Sequence, residues 1–506
     1  MTQRPLVIVQ CDALDPVLTR QWMDEGVLPT LAALRRRGLD ATLGGPEHVA
    51  ELGLALSAYS GVSRSRHGYY DYRQMRSGTY DLYPAAPADA TVRPFWAALA
   101  GDTVVTLDAG ETTPVPGLGG AQLINWTAHQ SATRIEPPTA IPRAVLAEAR
   151  RTFGSAARIS EFLVNSRPAD DRPILAAVLD RVRRKGALAR RLARRDARLT
   201  VVGFFEAHTA GHRFWKYHCG RGASDAELSG ALKQVYAAID HEIGLLLADL
   251  PDANVAVLSF FGMRDEYPSE GLMESFCRRL GYQASPRATA SQGRSLCDVV
   301  RAALPASLRT AISRRLPNAM QERLLASAFR SSTDWTRTVA FNIPSLYTGH
   351  IRVNVRGREP AGIVEPGAEY RDVLARVEDD LRQLEDPLTG SPAIRAVHRT
   401  GHLFAEALPA RLPDLFVEWE PTPVFRSQVV HPRAVLRQEP PAYFRDSYHS
   451  FEGLAILSGP DVRPSGERPA IDLLDLAPTF LALLGTAAPR DLTGSVPPDL
   501  IDAKTP

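Results

Sequence analysis

The 506-residue chain is 44% hydrophobic and 23% charged, with a formal net charge of +2, which suits a globular protein with a large core. So small a net charge supplies no global field for nucleic acid or an anionic membrane, and neither partner is expected. Four widely spaced cysteines (Cys11, Cys219, Cys277, Cys297) form no CxxC pair. With an N-terminus that enters a strand at once and no apolar run of membrane-spanning length, they predict a cytoplasmic protein with reduced thiols and a small-molecule substrate. Homo-oligomerisation is left open.

In chain order, PLVIVQCD (5–12) is a short apolar run ending in an acid, as a buried parallel strand should be. DPVLTRQWMDEGVLPTLAALRRRG follows with helical spacing and stops at Gly38. TVVTLDA, LTVVGFFEA and NVAVLSFFG are further strands, each followed by polar or helical sequence. Residues 172–198 predict a strongly basic amphipathic helix with a solvated face. Residues 264–333 break the strand pattern with helical segments around SPRATASQGRS, and read as an inserted helical cap with a flexible stretch near 284–294. IRVNVRG, PDLFVEWE and GLAILSGPDV are later strands, and LLDLAPTFLALLG is a closing helix. The alternation predicts an α/β protein: a mostly parallel central sheet sandwiched by helices, with an inserted helical cap. Residues 1–263 would be the first part of the core, 264–333 the cap and 334–506 the second part of the core.

Ligands of such sheets bind beyond the carboxyl ends of the strands. Asp12, His208 and the 259–263 segment all fall there. His208 and His212 are four residues apart in FFEAHTAGHRFW, and His449 stands in DSYHSFEG. Three imidazoles close three corners of a zinc-type tetrahedron and leave the fourth open, an arrangement suited to hydrolysis. Imidazole also suits iron, copper or nickel. No GxxxxGK[ST] loop, GxGxxG fingerprint or GxSxG elbow is present, which argues against other common chemistries.

Several segments, in order, resemble the type I phosphodiesterase/nucleotide pyrophosphatase branch of the alkaline phosphatase superfamily. They are Asp12 after the first strand, GVLPTLAALRRRG, YSGVSRSRHGYYDY, AHTAGH, SFFGM, DSYHSFEGLAILSGPDV and LLDLAPTFLALLG. The resemblance covers nearly the whole chain except the basic helix and the cap. It implies an alkaline phosphatase-like α/β/α fold and two metals around a Ser or Thr nucleophile. The absence of Cys-x-Pro-x-Arg sets the sulfatase branch aside.

Carried over by position, one metal takes residue 208, His212 and His449, and the other takes Asp12, the nucleophile and the Asp-His of an S-D-H-G-M motif. This chain departs from that pattern at three places. His208 replaces an aspartate but can still ligate. Phe260 and Phe261 replace the Asp-His pair and cannot, so the second metal is expected to be lost. An ungapped count puts Glu51 at the nucleophile, as base, ligand or nucleophile; a gap would bring in Ser57 or Thr42 instead. Asp12 is read as a ligand, a catalytic acid–base group or a partner orienting a histidine. Asn354, Arg358, Phe260 and Phe261 are candidate substrate contacts. The expectation is a hydrolase of phosphorus or sulfur esters with one divalent transition metal, zinc first. A non-hydrolytic lyase, transferase or isomerase and an inactive binding protein are the alternatives.

Overall fold

The computed structural model describes residues 4–127, 136–155, 159, 161, 166–193, 196–286, 317–441 and 444–501. Its centre is a nine-stranded sheet in the order Ala470–Asp472, Leu39–Gly44, Gly453–Ser458, Asn254–Ser259, Leu6–Cys11, Leu199–Phe204, Thr103–Leu107, Gly119–Ile124, Thr139–Ile141. The ladder is parallel except around Gly453–Ser458 and at the edge strand Thr139–Ile141, which run antiparallel. LVIVQC, LTVVGF, NVAVLS and GLAILS are buried along their whole lengths. Helices cover both faces of such strands, so apolar runs replace alternation. The α/β sandwich expected from the sequence is the fold observed. No helix among the described residues is long and apolar enough to cross a membrane.

The domain boundaries differ from expectation. IRVNVRG and PDLFVEWE do form strands, but not in the central sheet. Gly349–Val353 and Leu415–Trp419 belong to a separate four-stranded antiparallel sheet with Ala340–Ile343 and Ile394–Arg399. A second core lies under it, including Phe276, Ile351, Val353, Val377, Val417 and Trp419. The insertion therefore runs well past residue 333 and is α/β rather than purely helical. Two of its described helices, Glu270–Arg279 and Asn318–Ser331, fall within the predicted cap, and a third, Ala368–Arg382, lies beyond it. The predicted flexible stretch near 284–294 lies, from residue 287 on, outside the described residues. The chain leaves the central sheet after Ser259 and returns at Gly453, on a neighbouring antiparallel strand. Exit and re-entry are thus at the same edge, so the insertion needs no crossing and sits beside the carboxyl ends of the parallel strands.

The basic stretch becomes the helix Pro168–Leu192, and its solvated face is only part of it. Lys185 is fully buried. Its ammonium donates to Gly203 O at 2.8 Å and pairs with Asp108 at 3.2 Å and Glu206 at 3.3 Å. At the other end Asp171 pairs with Arg213 and Lys216 and accepts from the Tyr217 hydroxyl at 2.7 Å. This helix therefore grips both ends of the next one, Glu206–His218. Removing one member of a buried ion cluster strands the others without solvent. Lys185→Met is expected to destabilise the protein by about 3–5 kcal/mol, measured by denaturant unfolding; a change below about 1 kcal/mol would contradict this account.

Candidate metal centre

Five segments converge at the sheet's carboxyl edge. Asp12 follows Leu6–Cys11, Glu51 lies in the loop after Leu39–Gly44, and Phe260 and Phe261 follow Asn254–Ser259. His208 and His212 occupy the first turns of Glu206–His218, and His449 precedes Gly453–Ser458. Spacing of four puts His208 and His212 on one helix face, with ring centroids 4.7 Å apart. All three imidazoles are fully buried, and their ligating atoms lie within 4.8 Å of one another. Gly211, between the two helical histidines, permits this packing: a Cβ there would meet Met263 Sδ at 2.8 Å.

The outward nitrogen of each ring is committed. His208 Nδ1 lies 2.8 Å from Asp12 Oδ2, His212 Nδ1 3.1 Å from Ser447 O, and His449 Nδ1 3.3 Å from Gly262 O. Backbone carbonyls only accept, so His212 and His449 must carry their protons on Nδ1. When neutral they present bare Nε2 lone pairs, and these face each other at 3.2 Å. Two lone pairs at that distance repel unless a cation joins them. Nitrogens on a tetrahedral zinc at 2.0–2.1 Å would be about 3.3–3.4 Å apart. The donor set therefore fits a divalent metal, and the Nδ1 partners are those that orient metal-binding imidazoles.

Electrostatics agree. Burial holds His212 well below the usual histidine range, and Arg445 and the other two imidazoles add to the effect. Burial also lowers His449, against the opposing pull of Glu51. Burial works against charge on His208, but Glu161 and Asp12 reverse it and lift this group to about 10. The carboxylates that favour a proton there favour a metal cation equally. Burial alone would raise Glu51, yet His449, Arg445 and His208 hold it far below the carboxylate range. Its Oε1 lies 3.1 Å from His449 Nε2.

The Glu51 loop has its own internal frame. The fully buried Arg64 guanidinium donates to the carbonyls of Glu47 (2.8 Å), Ala50 (2.9 Å), Tyr69 (3.0 Å) and Leu52. Glu47 accepts from Ser57 Oγ at 2.8 Å and Ser63 Oγ at 2.9 Å. Glu111 accepts from the N–H groups of Gly53 and Leu56 at 2.8 and 3.0 Å. Ser57 also lies 2.9 Å from His67 Nε2, which resembles a nucleophile and its base. The polarity is reversed: His67 Nδ1 accepts from Tyr69 N–H, so its Nε2 donates to Ser57 and cannot take a proton from it. Thr42 is held in the sheet ladder opposite Leu454. It is Glu51 that touches the trio.

Other expected site residues divide. Asp12 stands behind His208, as its hydrogen-bond partner, and is outside the group of converging ligands. Phe261 packs on the His449 ring at 4.3 Å and the His208 ring at 6.1 Å, as an apolar wall. Phe260 is fully buried against Tyr59 and is core filling rather than a substrate contact. Asn354 and Arg358 are corrected too. Asn354 Nδ2 donates to Trp335 O, Thr338 O and Ala361 O, and its Oδ1 accepts from the Tyr80 hydroxyl. Arg358 is clamped by Asp414 at 2.7 Å on both arms, and also by Glu359, Pro409 O and Val353 O. Both lock the inserted unit, with no donor left for a substrate.

Two contacts of His208 had no sequence signal strong enough to find them. Glu161 Oε2 lies 3.5 Å from His208 Nε2, and Arg445 Nη1 lies 3.4 Å from the same atom. Arg445 precedes His449 by four residues, which was the available clue; Glu161 belongs to no recognisable motif.

A family model described as type I phosphodiesterase / nucleotide pyrophosphatase matches residues 6–429. A search of curated proteins finds no match. Among solved structures, phosphonoacetate hydrolase from Sinorhizobium meliloti 1021, in complex with phosphonoformate, is 12% identical, with 96% of each chain covered and a TM-score of 0.46. Human ectonucleotide pyrophosphatase / phosphodiesterase 5 is 11% identical, with 97% of each chain covered and a TM-score of 0.46.

Because His208 holds a proton up to about pH 10, a metal must displace it at neutral pH. Zinc uptake by metal-free protein is expected to release about one proton and to tighten roughly tenfold per pH unit between pH 7 and 9. Calorimetric titration in buffers of different ionisation enthalpy checks the proton count. A pH-independent affinity over that range would refute the electrostatic picture of His208.

Proposed function

We propose that this chain, which belongs to the type I phosphodiesterase / nucleotide pyrophosphatase family, is a single-metal member hydrolysing a phosphorus or sulfur ester, with zinc held by His208, His212 and His449. As a family member it is a phosphodiesterase-like hydrolase. The observation that carries the single-metal reading is the 3.2 Å approach of His212 Nε2 to His449 Nε2 with both Nδ1 atoms hydrogen-bonded to backbone carbonyls. Phe261 against His449 supports the loss of a second metal, since a phenyl ring offers no ligand.

When bound, such a metal supplies Lewis acidity that polarises the ester and acidifies water. Asp12 holds His208 by Nδ1 and keeps its Nε2 turned inward. Ser447 and Gly262 do the same for His212 and His449 through their carbonyls. Glu51, whose Oε1 lies 3.1 Å from His449 Nε2, is the group placed to accept the proton of an attacking water. Phe261 limits water on one side of His449, which strengthens charge interactions there.

Elemental analysis of purified protein is expected to give one transition metal per chain; two metals, or none, would sink the single-metal reading. His212→Ala is expected to abolish metal retention. Glu51→Gln should keep the metal and lower kcat on an aryl phosphodiester by about 10²–10⁴-fold, the usual worth of a general base. Loss of metal in Glu51→Gln would make Glu51 a ligand instead.

A further inference from the structure

Arg445 is built into the centre with unusual care. Its backbone is fixed on both sides by one side chain, the Tyr347 hydroxyl, which accepts from Arg445 N–H at 2.9 Å and donates to Arg445 O at 3.1 Å. Tyr347 is itself stacked on Tyr448 at 4.1 Å and 11°, and the guanidinium carbon lies 5.9 Å from the Tyr347 ring centroid. Nη1 reaches Glu161 Oε2 at 3.3 Å and His208 Nε2 at 3.4 Å. Tyr347 comes from the inserted unit, between Ala340–Ile343 and Gly349–Val353, so this unit sets where the charge sits. The Arg445 and Glu161 side chains keep 11% and 10% exposure, whereas the His208 and His449 side chains have none. Arg445 thus places its charge 3.4 Å from His208 Nε2, on a side chain slightly more exposed than the trio.

That position is unfavourable for holding a metal. A guanidinium is always charged, and here it lies in hydrogen-bond range of a nitrogen that would ligate a cation. Like charges so close repel, and the effect is large in a buried site. A side chain serving only the metal would not be a cation. The formal charges show what it does serve. With neutral imidazoles, the carboxylates of Asp12, Glu51 and Glu161 are balanced by Arg445 and one divalent ion. Without Arg445 the loaded centre is net negative, and an anionic substrate is repelled by it.

We propose that Arg445 is the substrate-binding residue that takes an anionic oxygen of the ester, its planar fork supplying two donors to a tetrahedral oxyanion beside the metal. This rests on the single-metal reading above. Glu161 and Tyr347 act as positioning residues for it.

The test uses calorimetry on full-length protein: zinc into the metal-free form, then inorganic phosphate into the zinc-loaded form. For Arg445→Met we expect zinc affinity equal to or tighter than wild type and phosphate affinity weaker by at least tenfold. Arg445→Lys should recover part of the phosphate affinity, because charge returns without the fork. A merely structural arginine would move the two affinities together, so weakened zinc binding alongside weakened phosphate binding in both variants overturns the proposal. So does phosphate affinity unchanged in Arg445→Met with normal zinc binding. Wild-type protein that binds no zinc would instead overturn the single-metal reading itself.

Discussion

Two imidazole nitrogens 3.2 Å apart, each on a ring whose Nδ1 is committed to a backbone carbonyl, are the constraint around which this centre is organised. The constraint is made by groups that are not ligands. Carbonyls of Ser447 and Gly262 fix which nitrogen of His212 and His449 is protonated, and the Asp12 carboxylate does so for His208. Those groups are placed by backbone: Gly262 just past a central strand, Ser447 in a two-residue ladder against Arg264–Asp265, Asp12 at the end of the innermost strand. The sheet thus sets the chemistry by fixing tautomers as well as by positioning rings.

The helix Glu206–His218 shows how far the support extends. It carries two of the three imidazoles, and its first residue is tied by Glu206 to the buried Lys185. Its far end is tied through Arg213 and Tyr217 to Asp171. Both ties come from Pro168–Leu192, a segment whose composition suggested a solvent-facing accessory. Charge on a helix says which residues prefer water. It does not say which of them finds a complete set of partners inside, as Lys185 does with Gly203, Asp108 and Glu206.

The same distinction explains what could be read in the sequence. Central strands were legible because burial on both faces leaves a continuous apolar run. The trio was legible because a helix repeats its face every three to four residues and His449 precedes a recognisable strand. Glu51 could be located only by counting; in the structure it is the group that lies beside His449, whereas Ser57 is held between His67 and Glu47. Strand sequences alone could not assign IRVNVRG and PDLFVEWE to a second sheet, since pairing is decided by contacts distant in sequence. Asn354 and Arg358 looked like site residues because polar side chains beside a strand often are. Their partners, Tyr80 and Asp414, are remote in sequence. Glu161 and Arg445 escaped for the same reason.

The return strand Gly453–Ser458 also has a consequence in time. His449 lies 237 residues after His212, and a ribosome adding about 5–20 residues per second needs roughly 12–50 s to make that stretch. Throughout that interval the nascent chain has the helix and Asp12 but only two of the three imidazoles. The trio is therefore assembled late, and a chain cut short before His449 lacks its third imidazole.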